Sequence, residues 1–295
     1  MLTTVTPVRL TVPLAGPLDV AASCEFLRRH GDDLVDRYDG QRLTRVLLAG
    51  ERRVPVSCRP VGTVAEPALE VTAAAELQAD LLAAQFGVPG PEWPALLGGD
   101  PLLAALEARR PGIRPLRLTD PLYALVRAIT AQQISLGFAT LVRSRVAAAY
   151  GTPYPIPGVE VVPRSIHPED LAGARIADLR AMQLSERKAT YLVEAAAAVA
   201  EGRIDPAVLS TMDTEAVVIA LTAVRGIGRW TAEWFAARVL GRPAVVAGDI
   251  AVRKAVGRLY GVPAPTEART RVLAEHWGAA ASFAQQVVLE VLPEG

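Results

Sequence analysis

Cysteine is almost absent from this 295-residue chain, which contains only Cys24 and Cys58 and no C-x-x-C pair. Cysteine-ligated zinc sites are typically built on closely spaced cysteine pairs, and iron–sulfur clusters on four cysteines, and this chain has neither pattern. The sequence therefore excludes both kinds of centre. So few cysteines are typical of a protein that works in a reducing cytosol.

Histidine is also scarce, and nucleotide-binding loops are missing. His30, His167 and His276 are scattered singly, without the spacing of a metal site. Neither a G-x-x-x-x-G-K-[ST] nor a G-x-G-x-x-G loop occurs. We therefore expect no dependence on ATP or NAD, and no cofactor that catalysis requires.

Long hydrophobic runs are missing as well. No stretch approaches the roughly 18 apolar residues of a membrane span, and the N-terminus lacks a basic segment followed by an apolar run. Hydrophobic residues nevertheless make up 51% of the chain, which is too many for a disordered protein. The sequence predicts a globular protein of the cytoplasm with a sizeable buried core.

The chain carries no formal net charge, with 31 Lys and Arg residues against 31 Asp and Glu residues. Residues 1–110 hold 11 Arg and 14 acidic residues (net −3), so residues 111–295 hold 20 basic and 17 acidic residues (net +3). A net charge of zero argues weakly against a nucleic-acid partner. The asymmetry permits a basic face on the second part of the chain.

Residues 1–90 alternate between strand-like and helix-like patterns. Strands are predicted at 8–12, 41–48, 53–60 and 68–72, and helices at about 19–30 and 74–85. Gly50-Glu51 is typical of a hairpin turn between two of these strands. We predict an α+β domain with an antiparallel sheet, which ends at the breaker-rich stretch 87–94.

After residue 90 the strand signals nearly vanish, and apolar residues recur at helical spacing. Helices are predicted at 121–132, 136–150, 188–201, 214–223, 230–240, 250–260, 267–276 and 282–292. The Pro-rich stretch 152–166 is expected to form a loop. We predict that residues 91–295 form one all-α region.

The stretch Leu221–Ala232, L-T-A-V-R-G-I-G-R-W-T-A, is the most informative part of the sequence. Helical spacing ends near Ala223, Gly226-Ile227-Gly228 is typical of a tight turn, and a new helix is predicted from about Arg229. The free amides of such a turn can bind a phosphate. This pattern is that of a helix-hairpin-helix that grips a nucleic-acid backbone, although a plain turn between packed helices can have the same glycines.

Asp249 stands 21 residues beyond Gly228, directly before a predicted helix that begins at Ile250. Aspartate at this position is expected to be an N-cap. The helix dipole stabilises the charged form of a carboxylate there, which also suits a group that must stabilise a cation or align a water molecule. The structural and the functional interpretation are therefore compatible.

Together these segments resemble the helix-hairpin-helix–Gly/Pro–Asp (HhH-GPD) superfamily of DNA glycosylases. The resemblance is carried by Gly226–Ala232 and Val245–Asp249, independently by Val126–Ser135, and more weakly by Ala274–Trp277. Within the superfamily, the chain is most similar to the 3-methyladenine DNA glycosylase II, or AlkA, type. The resemblance covers about residues 95–295.

The resemblance implies a mainly α fold, in which two helical lobes accompany a small N-terminal α+β domain with an antiparallel sheet. Lobe one is expected at about residues 120–243, with the hairpin at 221–232. Lobe two combines residues 91–119 and 244–295. A cleft between the lobes is expected to have Asp249 at its floor.

The resemblance implies that Asp249 is the catalytic residue. N-alkylated purines carry a positive charge, so their glycosidic bond is already weakened and the base leaves as a neutral molecule. A carboxylate near C1′ then stabilises the oxocarbenium-like transition state and positions water. The implied activity is hydrolysis of the N-glycosidic bond of alkylated purines, 3-methyladenine and 7-methylguanine, in base excision repair.

The resemblance also implies where DNA binds. The expected hairpin contacts are Gly226, Ile227, Gly228, Arg229 and Thr231. Because the target base must leave the helical stack, a side chain has to fill the gap, and Gln133 matches the family's wedge position. Gln132 and Ser135 flank it and are expected to contact DNA. A polar helix terminus on the surface would have the same sequence.

Trp230 indicates the reaction type, because superfamily members that also cut the DNA backbone carry a Schiff-base lysine at this position. The resemblance thus implies a hydrolase without lyase activity. Trp230 and Trp234 lie four residues apart and are expected to line the base pocket, although core packing would also use such a pair. Ile250 and Leu289 complete the expected pocket where some family members have further aromatic residues.

A structural Na⁺ or K⁺ ion is implied at the hairpin, held by the main-chain carbonyls of Thr222, Val224 and Ile227. The implied partner is double-stranded DNA that contains damaged bases. We expect a monomer without membrane contact that is associated with the nucleoid. Two alternatives stay open: a glycosylase for an oxidised, deaminated or etheno base, and a non-catalytic helix-hairpin-helix protein that binds damaged DNA.

Overall fold

The computed structural model describes residues 7–291. The strands of its N-terminal part are β1 (Val8–Pro13), β2 (Arg37–Tyr38), β3 (Leu43–Ala49), β4 (Arg52–Gly62) and β5 (Pro67–Ala73). They form an antiparallel sheet in the order β1-β5-β4-β3-β2. Alternate residues of β5 are buried, as expected for a sheet with one face on the core.

The predicted hairpin around Gly50-Glu51 is confirmed. Ala49 of β3 pairs with Arg52 of β4, so the loop contains two residues. Gly50 has a φ of +64°, which the tight turns of two-residue hairpins need and which glycine adopts without strain.

Two helices of this part are shorter than predicted. The helix expected at 19–30 is α1 (Val20–Cys24) followed by a 3₁₀ turn (Glu25–Leu27). The helix expected at 74–85 is only α2 (Ala79–Ala83), because the sheet continues into this stretch. The amide of Ala74 still donates to the carbonyl of Pro55 in the neighbouring strand, so tertiary pairing overrides the helix propensity of the alanines.

The rest of the described chain is mainly helical. The helices are α3 (Glu92–Gly99), α4 (Pro101–Arg109), α5 (Pro121–Ala131), α6 (Leu136–Tyr150), α7 (Pro168–Ala172), α8 (Ile176–Ala181), α9 (Glu186–Ala200), α10 (Pro206–Leu209), α11 (Thr214–Thr222), α12 (Arg229–Arg238), α13 (Ile250–Leu259), α14 (Glu267–Ala274) and α15 (Ala281–Val291). A 3₁₀ turn (Glu275–Ala280) joins the last two. The eight predicted helices are confirmed, although Leu292, the expected last residue, lies outside the described residues. None of the helices within residues 7–291 is long and apolar enough to cross a bilayer.

Aspartate–proline pairs begin several of these helices. Asp100, Asp120 and Asp205 each accept a hydrogen bond from an N–H of the following turn, and each is followed by a proline at the first helical position. The Asp100 pair starts α4, in a stretch where the sequence analysis had placed no helix. The predicted loop 152–166 is bounded by two short paired strands, β6 (Gly151–Pro153) and β7 (Arg164–Ile166).

Buried side chains form three groups. One covers the inner face of the sheet around Leu47. A second lies among α5, α9, α11 and α12 and includes Leu192 and Phe235. A third joins α4, α13 and α15 around Leu103 and Trp277. The predicted fold class, mainly α with an N-terminal α+β part, is confirmed, whereas the domain and lobe boundaries stay predictions.

A buried ion cluster joins the N-terminal part to α5 and α6. One oxygen of Asp33 lies 3.0 Å from Arg127 and 3.2 Å from Arg143 and also accepts the hydroxyl of Tyr123. Burial alone would raise the pKa of Asp33, but the two guanidinium charges and the Tyr123 hydrogen bond outweigh burial and lower it. Asp33 is therefore charged in the folded protein at neutral pH.

We expect Asp33→Asn to lower the free energy of unfolding at pH 7 by about 3–5 kcal/mol, because two buried cations lose their counter-ion. The pKa of Asp33 is lower in the folded than in the unfolded chain, where it is about 3.9. Its contribution is thus present above that pH and disappears as the pH falls through the folded-state pKa. Denaturant unfolding at a series of pH values measures both effects.

Asp32→Asn is the matched control. Asp32 lies next to Asp33 but is 44% exposed, with Arg37 at 2.6 Å. An exposed pair of this kind contributes about 0–1 kcal/mol, so this variant should stay close to wild type. Equal destabilisation by the two substitutions would contradict a special role for the buried cluster.

Candidate functional site

A cleft of about 1240 Å³ is lined by residues of α5, α6, α12, α13 and α15 and by residues of the N-terminal part. The predicted site residues that line it are Gln132, Gln133, Ser135, Gly228, Trp230, Thr231, Trp234, Asp249, Ile250 and Leu289. The predicted residues outside its lining are Thr222, Val224, Gly226, Ile227 and Arg229. Most of the predicted site residues therefore lie in one cleft.

The hairpin between α11 and α12 has the predicted form. Gly226 has a φ of +93°, and a Cβ atom there would lie only 2.2 Å from the ring of Tyr191. Ile227 is buried between the two helices, together with Leu221 and Val224. Glycine at position 226 is therefore required both by the backbone conformation and by the close approach of α9.

The polar groups of the hairpin main chain are available for ligands. Gly228 is the exposed N-cap of α12 and supplies no side-chain hydrogen bond, so the first amides of the helix lack an acceptor within residues 7–291. The carbonyls of Thr222 and Ile227 likewise accept no hydrogen bond in this range, and that of Val224 accepts one from Ile227. Main-chain carbonyl oxygens are ligands that suit a monovalent cation, so these three residues fit the predicted cation site.

Asp249 caps α13, as predicted. Its Oδ1 accepts the amides of Ala251 at 2.7 Å and Val252 at 3.3 Å, and its Oδ2 accepts the indole N–H of Trp230 at 3.2 Å. The carboxylate is half-buried and lines the cleft. Three donors therefore fix its orientation, while it remains next to the space that a ligand would occupy.

The loop before Asp249 is attached to α15. The amide of Val246 donates to Oε1 of Gln285 at 2.8 Å, and the amide of Ala244 donates to the hydroxyl of Ser282 at 3.4 Å. The Ser282 hydroxyl in turn donates to the carbonyl of Arg242. This helix therefore holds the loop that carries the carboxylate.

The four predicted pocket residues line the same cleft as Asp249 and differ in burial. Trp230 and Trp234 are half-buried on one face of α12, and Trp234 also packs against the core. Leu289 of α15 is half-buried, whereas Ile250 is 62% exposed at the rim. Trp234 thus combines core packing with exposure to the cleft, so the two expected roles of this indole are compatible.

The turn between α5 and α6 presents Gln133 to solvent. Gln133 is exposed and has a φ of +57°, a conformation that few residues other than glycine adopt. Ser135 caps α6, because its hydroxyl accepts the amide of Phe138 at 3.3 Å. Gln132 points the other way: its amide donates to the carbonyl of Gly226 at 3.4 Å and to the hydroxyl of Thr231 at 3.2 Å.

Comparison with known protein families identifies this arrangement. The profile of the HhH-GPD superfamily base excision DNA repair proteins matches residues 126–279, which include the α5–α6 turn, the hairpin and Asp249. The chain belongs to the HhH-GPD superfamily. The resemblance that the sequence analysis based on the hairpin and the aspartate is confirmed.

Individual HhH-GPD proteins are similar over different lengths. A putative DNA-3-methyladenine glycosylase (YfjP) of Bacillus subtilis is 33% identical over 148 residues, 50% of this chain and 50% of that protein. DNA-3-methyladenine glycosylase 2 of Escherichia coli is 29% identical over 275 residues, 91% of this chain and 92% of that protein. The chain thus spans only half of the Bacillus relative.

The HhH-GPD fold extends through the N-terminal sheet. The solved structure of a 3-methyladenine DNA-glycosylase from Archaeoglobus fulgidus superimposes with a TM-score of 0.80 at 24% identity, covering 95% of this chain and 97% of that one. At this identity the likeness is one of fold, and it includes the N-terminal part in which the sequence signal is weak.

Two predicted DNA contacts of this HhH-GPD chain have internal partners. The side chain of Thr231 is buried and accepts the Gln132 amide, so it serves the junction between the hairpin and the α5–α6 turn. Arg229 is bound to Glu215 and to buried Glu233, each at 2.9 Å. Glu233 also binds Arg271 of α14, so this chain of ion pairs connects α12 with α14.

Sequence reasoning missed several residues of the cleft. They are Phe26, Arg127, Arg238, Gln285 and Glu290. A signal was available for two of them: Arg238 continues the four-residue spacing of Trp230 and Trp234, and Gln285 precedes Leu289 by four. Phe26 carried no signal, because it reaches the cleft from the N-terminal part through tertiary packing.

The cleft is rich in positive charge. Its basic residues include Arg29, Arg127, Arg143, Arg238, Lys254 and Arg258, and its carboxylates are those of Asp249 and Glu290. Of these cations, Arg127 and Arg143 share buried Asp33 as a counter-ion, and Arg29 is paired with Glu290. The ring of Phe26 lies between two guanidinium groups, with those of Arg127 and Arg238 each 5.3 Å from its centre. Burial lowers the pKa of Arg238 to about 10, so this side chain is still charged at neutral pH.

We expect Gly226→Ala to lower the free energy of unfolding by roughly 2–4 kcal/mol, because the new methyl group overlaps Tyr191 and the positive φ is strained. Thermal and denaturant unfolding measure the loss. The matched control is Gly228→Ala, where φ is −85° and no atom lies within 4 Å of the added Cβ. If the control loses as much stability as Gly226→Ala, the close approach of Tyr191 is not the cause.

Proposed function

We propose that this chain is a DNA glycosylase that hydrolyses the N-glycosidic bond of alkylated purines in double-stranded DNA and leaves an abasic site. The observation that carries the proposal is the half-buried Asp249 carboxylate, fixed by three hydrogen bonds beside Trp230 in a basic cleft. Membership of the HhH-GPD superfamily and similarity to proteins named DNA-3-methyladenine glycosylase support the same activity.

Asp249 is proposed to act on the sugar. As the bond between the base and C1′ breaks, positive charge develops on the sugar, and a carboxylate oriented before the reaction stabilises that charge without further reorganisation. The two amides of α13 hold the Asp249 carboxylate in place at the N-terminus of that helix. The same carboxylate can orient the water molecule that adds to C1′.

The hairpin is proposed to hold the DNA backbone. The first amides of α12 lack protein acceptors in the described chain, and phosphate oxygens accept hydrogen bonds from such helix N-termini. A main chain without side-chain bulk at Gly228 lets a phosphate approach closely. The basic residues of the cleft add attraction for a polyanion.

Gln133 is proposed to fill the gap that the flipped nucleotide leaves. It is exposed in the α5–α6 turn, where its main chain has a φ of +57°. The side chain of Gln132 connects the same turn to the hairpin by a hydrogen bond to the carbonyl of Gly226. Ser135 is proposed to contact DNA beside it, since its side chain is exposed next to the wedge.

The flipped base is proposed to enter the space between Trp230, Trp234, Ile250 and Leu289, which all line the cleft. Indole rings stack on purines and attract cations, and N-alkylated purines such as 3-methyladenine and 7-methylguanine are cationic. The open rim at Ile250 offers a way into this space from the DNA surface.

The reaction is proposed to stop at the abasic site. A lyase step needs an amine that forms a Schiff base with C1′, and the chain contains only Lys188 and Lys254. Lys188 donates to the carbonyl of Thr130 at 2.9 Å and is not part of the cleft lining. Trp230 stands where the lyase lysine is expected from the family resemblance.

Three further points belong to this proposal. The hairpin carbonyls of Thr222, Val224 and Ile227 are proposed to hold a structural Na⁺ or K⁺ ion, which would neutralise part of the phosphate charge nearby. The protein is proposed to act as a monomer on double-stranded DNA. Its proposed location is the cytoplasm, in association with the nucleoid.

The first test is the rate at which free bases are released from methylated duplex DNA. We expect Asp249→Asn to release 3-methyladenine and 7-methylguanine at least about 100-fold more slowly than wild type, because a neutral amide stabilises the developing charge poorly. Its affinity for DNA with an abasic-site analogue should remain within a few-fold of wild type. Chromatography of the released bases and a binding titration measure the two quantities.

Asp213→Asn is the matched control for this test. Asp213 caps α11 as Asp249 caps α13, accepting the amide of Ala216 at 2.8 Å, but it lies outside the cleft. It should release bases as fast as wild type. Equal rates for wild type and Asp249→Asn would overturn the catalytic role of Asp249, and release by neither would overturn the proposed activity.

The second test concerns the lyase step. We expect no covalent complex when wild type is incubated with damaged DNA and borohydride, because no lysine stands at position 230. A DNA glycosylase that is also a lyase serves as the positive control. A trapped complex that disappears in Lys254→Ala would show that this cleft lysine supplies the amine and would contradict the monofunctional proposal.

A further inference from the structure

Two hydrogen-bond donors in the wall of the cleft have no acceptor in the described chain. One is Nη1 of Arg238, which is enclosed and makes no hydrogen bond within residues 7–291. The rest of this side chain is fixed, because Nη2 donates to Oε1 of Gln286 at 2.7 Å and the guanidinium lies 5.3 Å from the ring centre of Phe26. Arg238 thus holds a charged donor at a defined place in the cleft wall.

The second donor is the side-chain amide of Gln285. Its Oε1 accepts the amide of Val246 at 2.8 Å, and this bond sets which end of the side chain is the oxygen. The nitrogen Nε2 donates to no residue within the range 7–291, although Gln285 is only 7% exposed and lines the cleft. Its orientation is therefore fixed by the same loop that carries Asp249.

Unpartnered donors in the wall of a cleft favour a ligand that brings acceptors. An enclosed donor without a partner is destabilising, and a ligand that supplies an acceptor removes that cost. Purines differ in this respect: guanine-type bases present the O6 oxygen, whereas adenine-type bases present an amino group, itself a donor, at the same position. An amino group at this position would place its own N–H donors against the N–H donors of Arg238 and Gln285.

We propose that Arg238 and Gln285 make this pocket select 6-oxopurines, such as 7-methylguanine and hypoxanthine, over 6-aminopurines such as 3-methyladenine. The inference rests on the proposed glycosylase function and specifies its substrates. Trp230 and Trp234 hold the faces of the base, and Arg238, four residues further along the same helix, meets its O6 edge. Gln285 provides the second donor from α15.

A competition within one sample tests this selectivity. Methylated duplex DNA contains both 7-methylguanine and 3-methyladenine, so the ratio of their release rates can be measured for wild type, Arg238→Met and Gln285→Leu. We expect each substitution to lower the 7-methylguanine to 3-methyladenine ratio at least about fivefold. Release of hypoxanthine from a defined duplex should fall in parallel, and Arg238→Lys should keep part of the selectivity.

The ratio is insensitive to partial unfolding, because a loss of active protein lowers both rates equally. Arg269→Met, which removes an exposed arginine outside the cleft, should leave the ratio unchanged. An unchanged ratio in both Arg238→Met and Gln285→Leu would overturn the proposed selectivity while leaving the glycosylase function intact. A wild-type protein that releases none of the three bases would overturn the glycosylase function and this inference with it.

Discussion

The hydrogen bonds of the Asp249 carboxylate connect the fold of this protein with its proposed chemistry. One oxygen caps α13 and the other accepts the Trp230 indole, so the carboxylate is held by two helices that belong to different core groups. A cap of this kind contributes about 1 kcal/mol to stability. The geometry that catalysis would need is therefore maintained by an interaction that the fold needs in any case.

Contacts in the protein interior fix the surfaces that are proposed to face DNA. Tyr191 packs against Gly226 so closely that no side chain fits, and Gln132 ties the α5–α6 turn to the hairpin through Gly226 and Thr231. Gln133 and the free amides of α12 consequently share one rigid support. Such pre-organisation favours binding, because less conformational freedom is lost when the ligand arrives.

The parts of the site that the sequence predicted are those with local chemical signals. Glycines at a tight turn and an aspartate before a helix are recognisable from neighbouring residues alone, and Trp230 and Trp234 follow from helical spacing. Phe26 and Gln285 reach the cleft from parts of the chain far from these motifs. The buried charge of Asp33 was equally invisible, because acidic residues are usually exposed and only the folded structure shows its two guanidinium partners.

The placement of opposite charges in the cleft suits the movement of charge in the proposed reaction. A bound N-alkylated purine carries its positive charge on the base, and this charge passes to the sugar as the glycosidic bond breaks. Arg238 lies where the base is proposed to bind, so its repulsion is relieved as the base becomes neutral, whereas the attraction of Asp249 grows as the sugar becomes positive. Both effects are larger in the transition state than in the bound substrate, and only such differences accelerate a reaction. The cation that selects a 6-oxopurine by its O6 oxygen therefore also favours the departure of an alkylated one.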